Sequence, residues 1–231
     1  MSYWLTTSMN VANKRKETLE FLDSKNQTFF LPNDKVWVTG RVEEEFKLVF
    51  KGIRHKFYRS RLISVRLSGE VDYIPIIISD EFVPDIEKQS FQNQFVEIGG
   101  VFQSDDEYDK YGKRHLRLFL YAKFIGICEE VLQNNIYLEG HIYKPPIFRK
   151  TPLNKFITEL LIVVNIPDFK KSFYIPCITW YELARDVSML EIGSKIALCG
   201  RIQSRKYLKN QEHGEVIKTA YEVSVIDVKL F

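Results

Sequence analysis

The stretch YIPCITWYELARDVSMLEIGSKIALCGRIQSRKY, Tyr174–Tyr207, alternates between strand and helix patterns in a way that decides the architecture. Along Tyr174–Trp180 the period is two: Ile175, Cys177 and Thr179 take one face, and Tyr174, Pro176, Ile178 and Trp180 the other. The spacing of Glu182–Leu190 predicts about two helical turns, closed by Gly193 as a C′ glycine. Ser194–Gln203 reads as strand again, with Ile196, Leu198, Gly200 and Ile202 on one side. Arg205, Lys206 and Tyr207 then leave the strand together, two cations beside a ring.

Working outward, much of this plan occurs twice. VWVTGRV (Val36–Val42) lies 100 positions before IYLEGHI (Ile136–Ile142), and YIPIII (Tyr73–Ile78) lies 101 before YIPCIT (Tyr174–Thr179). Gly100 and Gln103-Ser104 anticipate Gly200 and Gln203-Ser204. Glycine-bearing loops at Gly112 and Gly214 lead into a final strand in each copy. A duplicated unit of strands, turns and one short helix points to two small all-β barrels rather than a βαβ sheet. Gly40 and Gly140 lie on the core-facing parity, where a tightly bent barrel strand has no room for a Cβ. The expected organisation is an N-terminal extension over 1–34, a first barrel over 35–128, a linker over 129–134 and a second barrel over 135–231. Within the extension, Val11–Leu22 reads as a weak amphipathic helix and Thr28–Leu31 as a short strand, packed on the first barrel.

Composition narrows the function classes. The 231 residues carry a formal net charge of only +3, so any polyanion site must be a local patch. Gln133–Phe231 holds 14 Lys and Arg against 10 Asp and Glu, while the remainder holds 19 against 20. Cys128, Cys177 and Cys199 are far apart and form no CxxC pair, which fits a reducing cytoplasm and argues against structural zinc. No apolar run reaches membrane-spanning length. His55, His115, His141 and His213 are scattered, and no Walker loop or HExxH is present, so neither an enzyme, a metal nor a cofactor is expected.

Cys177, the Trp180…Ala184…Gly193 frame, GRIQSRKY, RKTPLN (Arg149–Asn154) and TAYEVSV (Thr219–Val225) together resemble the bacterial single-stranded DNA-binding protein family across about Asn135 to Val228. The resemblance implies an OB-fold, a five-stranded Greek-key barrel that binds single strands on one face and in loops, and with the repeat the expectation is an all-β chain of two tandem OB-folds. It also implies that Tyr174, Trp180 and Tyr207 present rings for base stacking, and that four OB-folds assemble, here through a homodimer. That family commonly ends in an acidic tail, whereas this sequence runs from its last strand to Asp227–Phe231, so tail-mediated recruitment of replication enzymes is not expected.

Single-strand binding needs cations along phosphates and exposed rings for bases. Three stretches supply both. Lys47–Arg66 holds seven Lys or Arg and no acid, with Phe57, Tyr58, Arg59 and Arg61 as candidate contacts. The matched place in the second copy holds Phe148, Arg149, Lys150 and Lys155. The third is the loop carrying Arg201, Arg205, Lys206 and Tyr207, and Tyr73 joins the set as the counterpart of Tyr174. Solvated hairpins with cations snorkelling over core rings are the bland alternative for each stretch. Copy one has Ser79 in place of Trp180, and Asp105-Asp106-Glu107 in place of Arg205-Lys206-Tyr207, so the second barrel is expected to be the main binder. The expected function is sequence-tolerant binding of single-stranded DNA in replication, recombination or repair. Its alternatives are a primosome-type OB protein that docks onto another protein and an RNA-binding OB module.

Overall fold

The computed structural model describes residues 16–25, 30–109, 111–166, 171–211 and 214–231. A helix over 16–24 (α1) is followed by six strands: β1 (Asp34–Val42), β2 (Lys47–Lys51), β3 (Lys56–Val65), β4 (Val71–Ser79), β5 (Phe95–Tyr108) and β6 (Arg114–Ile127). The second set is β7 (Asn134–Ile142), β8 (Ile147–Lys150), β9 (Phe156–Ile166), β10 (Lys171–Trp180), β11 (Lys195–Gln211) and β12 (Gly214–Leu230), with α2 (Tyr181–Ser188) after β10.

The first set closes as β1-β3-β4-β6-β5-β1, with β4 and β6 parallel and all other neighbours antiparallel. The second closes in the same way as β7-β9-β10-β12-β11-β7. Strands β2 and β8 are exposed arms paired with β3 and β9. This is the OB strand order, twice. The inward faces alternate as the period-two reading requires: Ile175, Cys177 and Thr179 are buried along β10, and Ile74, Ile76 and Ile78 along β4.

Closure depends on glycine at four quasi-equivalent places. A Cβ on Gly40 would run into the Ile63 carbonyl, on Gly140 into that of Val163, on Gly100 into that of Tyr121 and on Gly200 into that of Ser224. These are the points where a bent strand crosses its neighbour most closely.

The two barrels are joined edge to edge. β1 and β7 pair antiparallel with Val36 opposite Ile136, Asp34 opposite Leu138 and Val38 opposite Asn134. The pairs Asp34–Leu138 and Asn134–Val38 are therefore equivalent, and a local two-fold axis passes between Val36 and Ile136. The result is one twelve-stranded sheet. The buried side chains of both barrels merge into one apolar cluster.

Two local expectations change. The helix of the second barrel spans Tyr181–Ser188 and ends before Gly193, which instead takes a φ of 88° in the turn closed by the Ser194 amide on the Glu191 carbonyl. The matching helix of the first barrel is reduced to a single 3-10 turn, Ile86–Lys88. Within the extension, the described helix places Leu22 against Trp37 and Phe30 on the outer side of β1. The rest of the predicted helix and the first half of the predicted strand fall outside the described residues. Leu31 forms an isolated bridge with Asp34.

Candidate nucleic-acid interface

The two-fold relation between the barrels creates two clefts, one on each side of the β1–β7 seam. Each is walled by the outer face of one barrel and by the β3–β4 or β9–β10 end of the other. Matching serines hold the barrels together beside them: the Ser204 hydroxyl accepts the Tyr73 amide at 3.1 Å, and the Ser104 hydroxyl accepts the Tyr174 amide at 2.7 Å.

The second cleft, about 480 Å³, gathers Tyr73, Trp180, Arg201, Arg205 and Lys206, which lie in three separate parts of the sequence. Arg66 completes it. Its guanidinium donates to buried Asp72 at 2.7 and 2.6 Å and to the Ser204 carbonyl at 3.3 Å. That carboxylate raises the Arg66 pKa and fixes the fork as a cation. Burial lowers the pKa of Arg201, with repulsion from Arg66 adding to the effect. The Lys206 ammonium sits 5.6 Å from the centre of the Tyr73 ring, and the Arg61 guanidinium sits 5.5 Å from the same ring. Trp180 is half-buried at the end of β10. Tyr181, next in the chain, takes a left-handed φ of 56°, so the chain swings at once into α2.

The first cleft is larger, about 710 Å³, and contains Phe57 and Arg59 together with Phe50 of the β2 arm, Arg117, Phe119, Tyr121 and Lys123. Lys171 and Phe173 of the second barrel close its far wall.

The remaining expected residues lie elsewhere. Tyr174 meets Tyr143 edge-on, with ring centres 4.6 Å apart. Tyr207 is exposed on the β11–β12 ribbon, with the Arg205 guanidinium 5.9 Å from its ring centre. Phe148, exposed on the β8 arm, stacks on Phe156 at 5.5 Å and 8°. Lys150 lies over that same Phe156 ring at 5.5 Å. Arg149 is ion-paired with Glu159, and Lys155 lies 5.9 Å from the centre of the Tyr181 ring. Arg61 is ion-paired with Glu43.

Two expectations are corrected. Tyr58 is only 2% exposed and donates its hydroxyl to Glu87 at 2.5 Å, so its ring belongs to the core and offers no stacking face. It sits on the inward parity of β3, one residue from outward Phe57 and Arg59. The acids Asp105 and Asp106 are not an open negative loop either, because Arg117 pairs with Asp105 at 3.3 Å and Arg114 with Asp106 at 2.7 Å.

Arg66 fell within the basic run Lys47–Arg66 without being singled out, and the residues missed in the sequence are Arg117, Phe119, Tyr121 and Lys123. A signal for these four was present. HLRLFLYAKF places cation, ring, ring and cation at alternate positions, and thus on one face of a strand.

No family model matches the chain. A curated relative, Single-stranded DNA-binding protein 1 of Lactococcus lactis subsp. lactis, is 31% identical over 93 residues; that match takes in 37% of this chain and 61% of the relative. The chain thus spans about three fifths of that relative's length. Among solved structures, the wild-type single-stranded DNA binding protein from Thermus aquaticus superimposes with a TM-score of 0.66 at 17% identity, over 85% of this chain and 92% of that one. A deletion mutant of the same protein gives the same score and identity, over 85% and 93%. Over a local stretch the chain is thus similar in sequence to a single-stranded DNA-binding protein, and it shares the fold of the Thermus aquaticus protein.

Proposed function

We propose that the chain binds single-stranded DNA with little sequence preference, in replication, recombination or repair, using 35–128 and 135–231 as its two binding units. The observation that carries this reading is the second cleft, where Trp180 and Tyr73 share one opening with Arg66, Arg201, Arg205 and Lys206. Rings offer faces to any unpaired base, and cations follow the phosphates, so affinity comes without base-edge readout. Among the described residues no three His, Cys, Asp or Glu side chains gather into a group that could hold a metal ion. No helix among the described residues is long and apolar enough to cross a membrane. None of the three cysteines is in a disulfide, which supports a cytoplasmic setting. A homodimer with four OB-folds is the assembly implied by the resemblance, and sedimentation at several concentrations tests it.

The test of binding is tryptophan fluorescence on addition of poly(dT) at two salt concentrations. Of the three tryptophans Trp37 is buried, so quenching that salt reverses, that persists in Trp4→Phe and that disappears in Trp180→Phe would report the cleft. No binding at low salt would overturn the proposal. Preference for poly(U) over poly(dT) would move it to RNA.

A further inference from the structure

We infer that the first barrel, not the second, carries the main base-stacking surface, and that unpaired bases enter the cleft lined by Phe57, Phe119 and Tyr121. This rests on the single-strand binding proposed above and reverses the assignment drawn from net charge and from Trp180.

Equivalent positions across the two-fold axis differ sharply. On β6, Arg117, Phe119 and Tyr121 lie opposite Asp105, Gln103 and Val101. On β12 the equivalent residues are Ala220, Glu222 and Ser224, opposite Arg205, Gln203 and Arg201. At the following bulge the first barrel has Lys123 and the second Ile226. One strand face therefore reads cation, ring, ring, cation, and its counterpart reads alanine, carboxylate, hydroxyl, isoleucine. The neighbouring strands repeat the contrast. Outward Phe57 and Arg59 of β3 match Ile157 and Glu159 of β9.

Charge points to the same occupant. In the first cleft Arg59, Arg117, Lys123 and Lys171 share the lining with one acid, Asp105, which Arg117 already holds, while Asp34 and Glu81 act on Lys123 from outside the lining. In the second cleft Glu70 and Glu222 offset the arginines, and Glu222 lies 3.9 Å from Arg205. The rings of the first cleft are also arranged as a lining. Phe50 on the exposed arm meets Phe57 at 5.8 Å, and the Arg117 guanidinium lies 5.7 Å from the centre of Phe119. A floor of apolar rings under a rim of cations in excess suits bases below and phosphates above. The second cleft, where Arg205 and Lys206 are exposed, suits the phosphate backbone.

The experiment uses the full chain and a dT oligonucleotide carrying 5-iodouracil. Photocrosslinking followed by peptide mapping should label Phe57, Phe119 and Tyr121 more than Trp180 and the stretch Arg201–Lys206. Phe119→Ala should weaken binding at least tenfold, and Trp180→Ala less than threefold. Because Phe119 is half-buried, Phe50→Ala, on a side chain 61% exposed, supplies a variant that cannot disturb the barrel, and it should weaken binding measurably. Crosslinks concentrated around Trp180, with Phe119→Ala and Phe50→Ala neutral, would overturn the inference while leaving single-strand binding intact. Failure of the unaltered protein to bind the oligonucleotide would instead remove the proposal on which it rests. Preferential capture of an acidic peptide in the first cleft, displacing no DNA, would also overturn it.

Discussion

Replacing Asp34 with asparagine is expected to stabilise the protein at neutral pH. Asp34 is fully buried at the start of β1, where its carboxylate oxygens lie 3.0 and 3.1 Å from the Phe102 amide that donates to them. Burial raises its pKa well above the ordinary 3.8, against the opposing Phe102 hydrogen bond and the charge of Lys123. A carboxyl that keeps its proton longer when folded gives stability that is complete below the unfolded value. That stability is lost as pH rises from 3.8 towards the folded value. Over that window the loss proceeds at up to about 1.4 kcal/mol per pH unit, the value of one proton. The second barrel shows the neutral solution at the equivalent place. Asn134 accepts the Ile202 amide at 2.9 Å and donates to the Ile202 carbonyl at 2.8 Å. Asparagine at 34 cannot ionise, and its side-chain amide can serve Phe102 in the same way. Lys123, whose ammonium is disfavoured by burial, keeps Glu81 as a counter-charge. Urea denaturation followed by circular dichroism, at half-unit steps from pH 5 to 8, should show the variant gaining on the parent as pH rises. For a chain of this size each kcal/mol corresponds to about 2–4 °C in Tm. Parallel pH profiles, or a variant less stable than the parent at pH 8, would refute the reasoning.

Other expected outcomes follow from the seam and the clefts. Gly40→Ala should cost at least about 2 kcal/mol, or prevent folding, because the new methyl meets the Ile63 carbonyl; thermal melts check this, with Gly69→Ala, in open space but at positive φ, as the milder comparison. Ser204→Ala should cost about 1 kcal/mol by leaving the Tyr73 amide without its acceptor, measured by chemical denaturation. Arg205→Ala with Lys206→Ala should lower the salt dependence of oligonucleotide binding by about 0.7 in log–log slope for each phosphate no longer neutralised, without altering the melting curve.

The strand faces and the duplication were legible because both are written in local periodicity: Val36–Val42 and Ile136–Ile142 align position for position, and Gly40 and Gly140 mark closure before any strand is paired. The seam was not legible. Nothing in Asp34–Val42 distinguishes an edge that pairs with β7 from one that faces water, since partner choice depends on residues about 100 positions apart. The same distance hid the clefts, whose walls come from opposite barrels. Tyr58 misled because a ring within a basic run looks exposed, and only strand parity turns it inward. Arg117–Lys123 escaped because a stripe in the middle of a strand carries no turn or loop signal to mark it.

The antiparallel seam between β1 and β7 also changes how the surface can evolve. In a two-fold dimer of identical subunits, every substitution is written twice and must suit both sides of the axis. Here the halves are tethered and need no matching sequence, so each mutation lands once. Phe119 could arise without a second phenylalanine at Glu222, and Trp180 without a second tryptophan at Ser79. Covalent linkage also keeps the halves together at any dilution, so asymmetry costs nothing in assembly, and two folds that began alike are free to specialise.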